Sequence, residues 1–242
     1  MVPPEATVIV LAGGAGTRIR HLYPDVPKPL IPVAGATFLD WVCRYWKNQG
    51  LRRILVSIGH LAEVAERHLR EHPLQGVEVY AVREEQALGT AGGIRLAAGS
   101  PHAGDPLIAC NGDSLVFSDV SGVWPILARE ELQGVLLGVE VPDASRYGSL
   151  HVAEDGLLRG FAEKRPGRGL VNAGVFFFKR RLLARFPART PLSLETDVFP
   201  LLLAGGVRIQ VVPVKEDFLD IGTPEGLAQA DGFVGRHLEE LT

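Results

Sequence analysis

Along the first half of the chain, apolar positions alternate between short β-rich runs and longer segments with helical spacing. The runs at residues 7–11, 53–58, 77–82, 106–111 and 134–141 read as strands, most of them short and rich in Val, Ile and Leu. Between them Phe38, Leu39, Val42, Tyr45, Trp46 and Gln49 share one helical face, as do Leu61, Val64, Ala65 and His68. The alternation predicts an α/β chain, a parallel sheet with helices on both faces joined by right-handed βαβ crossovers.

After residue 141 the pattern changes. Turn pairs at Tyr147-Gly148, Asp155-Gly156 and Pro166-Gly167 separate short β-like runs at 149–152, 157–163 and 171–178, which predicts a smaller mixed lobe. A last strand at 209–213 precedes Asp220-Ile221-Gly222-Thr223-Pro224-Glu225, where Thr223 suits a helix N-cap and Pro224 the first helical position. No internal repeat or low-complexity tract interrupts the chain.

Composition narrows the function classes. The 25 bases and 28 acids leave a net charge of −3, and no long basic run exists for a nucleic-acid backbone. Lys179-Arg180-Arg181 reads as a solvated helix start. Cys43 and Cys110, each in an apolar stretch, support neither a disulfide framework nor a zinc site. The first seven residues lack the character of a signal peptide, and no apolar run is long enough to span a bilayer. The cytoplasm is the expected location, without nucleic-acid or membrane partners.

Leu11-Ala12-Gly13-Gly14-Ala15-Gly16-Thr17-Arg18 follows the first strand directly, where small residues let backbone N–H groups close around phosphate oxygens. No Gly-Lys-Ser/Thr closes it as a P-loop, and Ile19 stands where a dinucleotide fingerprint needs a third small residue. A tight turn without ligand is the plainer alternative. The run ending Asn111-Gly112-Asp113 reads as a central strand opening into a ligand crevice, and Asp220 stands just before a capped helix. Two such acids converging on phosphates suit Mg²⁺; taken singly, each is equally a turn or cap residue.

Residues 11–20 followed by Pro27-Lys28-Pro29-Leu30-Ile31-Pro32-Val33 resemble the opening signature of the sugar-1-phosphate nucleotidyltransferases. The resemblance implies a Rossmann-like, mixed but mainly parallel sheet flanked by helices, the nucleotide-diphospho-sugar transferase fold, with a small sugar-binding β lobe. Residues 1–242 would form one domain, with a nucleotide-binding part at 1–141 and a sugar-binding part with the second metal aspartate at 142–242. The loop, Leu11 to Thr17, would wrap the triphosphate; Arg18 would hold the leaving phosphates and Lys28 the reacting one. Cations are what the chemistry needs, because one anionic phosphate attacks another. Asn-Gly-Asp and Asp-Ile-Gly-Thr-Pro resemble the family's metal segments, which makes Asp113 and Asp220 the expected Mg²⁺ ligands.

The same resemblance covers both substrates. Glu84-Glu85-Gln86-Ala87-Leu88-Gly89-Thr90-Ala91-Gly92 is similar to the base-reading segment of guanylyltransferases, with Glu84 the expected acceptor of guanine N–H groups, Glu85 in reserve, and Gly89 and Thr90 beside the nucleotide. On the acceptor side Gly148, Glu163, Asn172 and Gly174 would face the sugar and Lys164 its phosphate. In a regular strand Glu163 and Lys164 point to opposite faces, so a bulge or strand end is expected there, or only one reaches the ligand. Arg20 to Pro29, Ile58-Gly59-His60 and the segment Ser193 to Pro200 look more like the D-glycero-D-manno-heptose 1-phosphate guanylyltransferases. The implied reaction joins an NTP, GTP on this resemblance, to a sugar 1-phosphate and releases pyrophosphate; a homodimer is possible. UTP, CTP or dTTP with a hexose or amino-sugar phosphate is the nearest alternative, and a non-catalytic sugar-nucleotide sensor is the alternative outside enzymes.

Overall fold

The computed structural model describes residues 1–145, 149–162, 167–215 and 217–241. From β1 (Thr7–Ala12) the chain passes through a hairpin of β2 (Pro32–Val33) and β3 (Ala36–Thr37) into α1 (Phe38–Asn48). β4 (Arg53–Ile58), α2 (Ala62–Glu71), β5 (Glu78–Arg83), α3 (Thr90–Ala98) and β6 (Leu107–Asn111) continue the alternation that the periodicity predicts. β7 (Ser114–Val116), α4 (Val123–Leu127), β8 (Gly134–Val141), β9 (Ser149–Val152), β10 (Leu158–Ala162) and β11 (Gly169–Phe178) follow. The chain closes with α5 (Phe199–Ala204), β12 (Ile209–Val214), β13 (Phe218–Asp220), α6 (Pro224–Arg236) and α7 (Leu238–Leu241).

Among the described residues, nine strands form one mixed sheet in the order β10-β9-β11-β6-β1-β4-β5, with β8 on the other side of β11 and β12 beyond β8. β1, β4, β5 and β6 are parallel, while β11 runs antiparallel to β6 and β8. The smaller lobe expected after residue 141 is an extension of this sheet, since β9 pairs with β11 and β10 with β9. From β1 the chain moves outward through β4 and β5, then returns across β1 to β6. Strand order therefore reverses between β1 and β6, and the crevice at their carboxyl ends is where open α/β sheets bind ligands. Their register is flush there, with Leu11 opposite Asn111.

Alternation along β1 assigns its two faces. Val8 and Val10 pack with Trp41, Trp46 and Phe177 in one buried cluster, while Ile9 packs with Ile94, Ala97 and Phe199 in the other. α1 starts on a capping box, in which Thr37 Oγ1 accepts from Asp40 N and the Asp40 carboxylate accepts from Thr37 N. α6 starts as expected, with Thr223 capping Gly226 N and Pro224 at the first position.

The stretch expected to be a solvated helix start behaves differently. Arg180–Arg185 forms a 3-10 turn, and the Arg180 guanidinium turns inward to the carbonyls of Ala103 and Ala98, the latter at 2.7 Å. The last carbonyls of α3 lack helical partners, and this cation supplies one. Cys43 and Cys110 are buried free thiols; burial pushes Cys110 up to about 12. No helix among the described residues is long and apolar enough to cross a membrane.

Candidate active site

A cavity of about 230 Å³ opens at the carboxyl ends of β1 and β6, bordered by the glycine-rich loop, Arg18, Lys28, Asp113 and Gly222. The loop leaves β1 at Ala12, and Gly13 O accepts from His60 N (3.2 Å), which ties it to the end of β4. Gly16 O then accepts from Ile19 N and Arg20 N, so the chain turns under Thr17 and Arg18 and leaves their side chains exposed. Gly14 and Ala15 are likewise exposed.

Lys28 begins a short 3-10 turn, Lys28–Leu30, and its ammonium forms an ion pair with Asp113 Oδ2. The lysine side chain is only 11% exposed and the aspartate 31%, so the pair is poorly screened by water. Asp220 is brought to Asp113 by a two-stranded ribbon: β13 runs antiparallel to β7 with Asp220 opposite Ser114, and Ile221 N donates to Asp113 O at 2.9 Å. Burial, and then the like charge of Asp113, hold the Asp220 carboxyl above the usual carboxylate range.

Gly222 sits at the centre of this cluster. A Cβ there would lie 2.6 Å from Asp220 Oδ1, 2.7 Å from Lys28 Nζ and 3.4 Å from Arg18 Nη2, while its N–H donates to Asp220 Oδ1 (2.6 Å). Two cations and the Asp220 carboxylate thus converge on one glycine, and Asp113 joins them through its ion pair with Lys28. No group of three or more His, Cys, Asp or Glu able to hold a metal occurs among the described residues. Two carboxylates with room beside them fit Mg²⁺, which takes one or two from protein and completes its shell with phosphate and water oxygens.

Glu84 lies on the opposite wall of the loop. Its carboxylate rests against Gly13 and Gly93, and Oε1 accepts from the hydroxyl of the fully buried Ser57 at 2.7 Å. Leu88 N approaches Oε2 at 3.4 Å, whereas Glu85 is exposed. Gly89 caps α3 and Thr90 opens it; Thr90 Oγ1 accepts from Leu194 N at 2.7 Å.

Asn172 and Gly174 meet in a narrow cleft beside the main cavity, and Leu11 borders both. They occupy an irregularity in β11, where pairing with β8 shifts register between Asn172 and Phe176. Gly174 has φ +74°, and a Cβ would stand 2.4 Å from Asn111 Nδ2. Gly148, Glu163 and Lys164, and with them the expected bulge, lie outside the described residues. Sequence reasoning missed three contributors: Ser57 as the partner of Glu84, Gly222 as the hub, and Glu195, which borders the Asn172 cleft. Gly222 and Glu195 stood inside noted motifs without a role; Ser57 had no signal, because its partner is 27 residues away.

The sequence model of the family described as nucleotidyl transferase matches residues 7–236. A mannose-1-phosphate guanylyltransferase of Mycobacterium tuberculosis is 31% identical over 98% of this chain, which spans 66% of that protein's length. A D-glycero-alpha-D-manno-heptose 1-phosphate guanylyltransferase of Campylobacter jejuni is 28% identical over 90% of the chain and 95% of its own length. Among solved structures, HddC from Yersinia pseudotuberculosis superposes with a TM-score of 0.82 at 29% identity, covering 94% of this chain and 98% of that one, and a second structure of it is complexed with GMP-PN.

Proposed function

We propose, for a chain that belongs to the nucleotidyl transferase family, that it is a sugar-1-phosphate nucleotidyltransferase using GTP, with a heptose 1-phosphate as acceptor. The gathering of Arg18, Lys28 and Asp220 about Gly222, with Asp113 paired to Lys28, at the strand-order reversal carries the reading. The Campylobacter relative and the GMP-PN complex of HddC support guanine and heptose.

A phosphate oxygen of the sugar 1-phosphate attacks the α-phosphorus of the nucleotide. One P–O bond forms, the bond to the β-phosphate bridging oxygen breaks, and pyrophosphate departs with that electron pair. Lys28 lies beside the reacting phosphate and offsets the repulsion between the two anions, while Arg18 holds the departing pyrophosphate. Asp113 and Asp220 would hold Mg²⁺, which when bound neutralises phosphate charge. Loop N–H groups from Leu11 to Thr17 cradle the triphosphate, with Gly89 and Thr90 flanking the nucleotide. Glu84, oriented by Ser57, has acceptor capacity left for guanine N–H groups. On the acceptor side, Asn172, Gly174, Gly148 and Glu163 face the sugar and Lys164 holds its phosphate; the last three roles rest on sequence resemblance alone.

Pyrophosphate release, measured with Mg²⁺ across the four nucleotides and a panel of hexose and heptose 1-phosphates, tests this. GTP with a heptose 1-phosphate is the expected best pair. A preference for UTP or dTTP removes the guanine role of Glu84, and release from no combination favours a sugar-nucleotide sensor.

A further inference from the structure

The cleft beside Asn172 contains a carboxylate for which the reaction described above has no use. Glu195 belongs to a single π turn, Leu194–Val198, and π irregularities within helical segments concentrate at functional sites. The turn is held in place from several directions. Ser193 Oγ accepts from Thr196 N (3.3 Å), Ser193 N donates to Asp197 Oδ2 (2.8 Å), and Leu194 N donates to Thr90 Oγ1 (2.7 Å). Just before it, Leu192 N donates to Leu88 O and Leu192 O accepts from Ala91 N. The segment is therefore fastened to the turn that follows Glu84.

That anchoring brings Glu195 to the rim of the cleft, where its Oε1 accepts from Asn172 Nδ2 at 3.0 Å. Asn172 Oδ1 in turn accepts from Gly174 N at 2.9 Å, so the amide is oriented at both ends. One Nδ2 hydrogen stays available as donor, and Glu195 Oε2 stays available as acceptor. No Lys, Arg or His forms an ion pair with Glu195 among the described residues. A donor and a charged acceptor side by side on a rigid rim match a polyhydroxylated ligand, whose hydroxyls both give and take hydrogen bonds.

We infer that Glu195 is a specificity-determining residue of the acceptor site: its free carboxylate oxygen accepts a hydrogen bond from a hydroxyl of the sugar phosphate, next to the donor of Asn172. The inference rests on the sugar-1-phosphate reading of the same site. Glu195→Gln separates contact with substrate from support of Asn172, because Gln keeps an oxygen for Asn172 Nδ2 and replaces the free acceptor with an NH₂ donor.

The experiment measures kcat and both KM values for wild type, Glu195→Gln and Glu195→Ala, with the preferred sugar 1-phosphate and its monodeoxy analogues. A charge-assisted hydrogen bond lost from the ligand predicts a rise of about tenfold in sugar-phosphate KM for Glu195→Gln, with the nucleotide KM unchanged. The wild type's preference for the hydroxylated sugar over one monodeoxy analogue should disappear in the same variant. An unchanged sugar-phosphate KM and unchanged deoxy discrimination in Glu195→Gln overturn the inference, even if Glu195→Ala is impaired. Wild-type turnover with no sugar 1-phosphate overturns the functional reading and this inference together, so the two failures are told apart by the wild type. Glu195 is exposed, and the nucleotide KM reports in each variant that the fold is intact.

Discussion

Arg18, Lys28 and Asp113 border the cavity at the carboxyl ends of the parallel strands β1 and β6, whereas Asn172 and Glu195 come from a register shift in β11 and a π turn before α5. The first group inherits its position from strand order, since two flush parallel strands open a crevice at their carboxyl ends whatever the side chains are. The second has no such scaffold: Thr90 and Ser193 hydroxyls accept from the backbone of the π turn, Gly174 N donates to Asn172, and Asn172 donates to Glu195. On the proposed reading, chemistry common to a family is carried by the part of the fold that is hardest to distort. On the same reading, choice of acceptor falls to the part that a few substitutions can reshape.

Breaking the first group should cost most. Lys28→Ala leaves Asp113 and Asp220 without their nearest cation, and loss of one preorganised charge at a reacting phosphate predicts a fall in kcat of about 10²–10³-fold. Pyrophosphate release at saturating substrates checks it; near-normal kcat would remove Lys28 from the reaction centre. Gly222→Ala should come next. The added methyl displaces Asp220 Oδ1 and Lys28 Nζ from positions under 3 Å away, and a shift near 1 Å predicts about a 10²-fold loss. Thermal melting should change little by comparison, since the crowded atoms are side-chain ends at a cavity.

How far the sequence reveals this site follows the same division. The glycine-rich loop, Lys28, Asp113 and Asp220 stand in contiguous motifs at strand or helix ends, and periodicity locates those ends. β7 and β13, three residues each, are too short to show a period, so the ribbon that joins Asp113 to Asp220 was invisible. Ser57 reads as an ordinary strand residue until Glu84 is seen to meet it. Arg180 has charged neighbours and so reads as solvated; the carbonyls at and just beyond the end of α3 that draw it inward are about 80 residues away, and local pattern has no access to them.

Thr90→Ala sharpens the comparison, because Thr90 opens a helix of the regular sheet and also borders the Asn172 cleft. It opens α3, on the proposed nucleotide side, and its hydroxyl anchors the π turn through Leu194 N. Removing that acceptor should cost about 1 kcal/mol of stability and loosen Glu195 more than Glu84. The expected kinetic result is a larger rise in sugar-phosphate KM than in nucleotide KM. Equal rises would mean that the π turn serves the fold and not the acceptor.

Asp40→Ala is the smallest effect and the control for the regular half. Asp40 caps α1 and receives His68 Nε2 at 2.9 Å, and it does not border the cavity that Lys28 and Asp113 line. Burial raises its pKa, but the hydrogen bonds from His68 and Thr37 outweigh that and leave the carboxyl below the usual range. A folded-state pKa below the unfolded value means that the ionised form stabilises the fold at neutral pH, and that this contribution fades as pH falls through the folded-state pKa. The variant should therefore lose about 1 kcal/mol near neutrality. The gap from wild type should narrow in acid, below the ordinary carboxylate range. Denaturant unfolding at a series of pH values measures this, and both KM values should stay at wild type. A KM change from Asp40→Ala would show that the parallel half tunes substrate binding as well as carrying it, and the division between the two halves would then be one of degree.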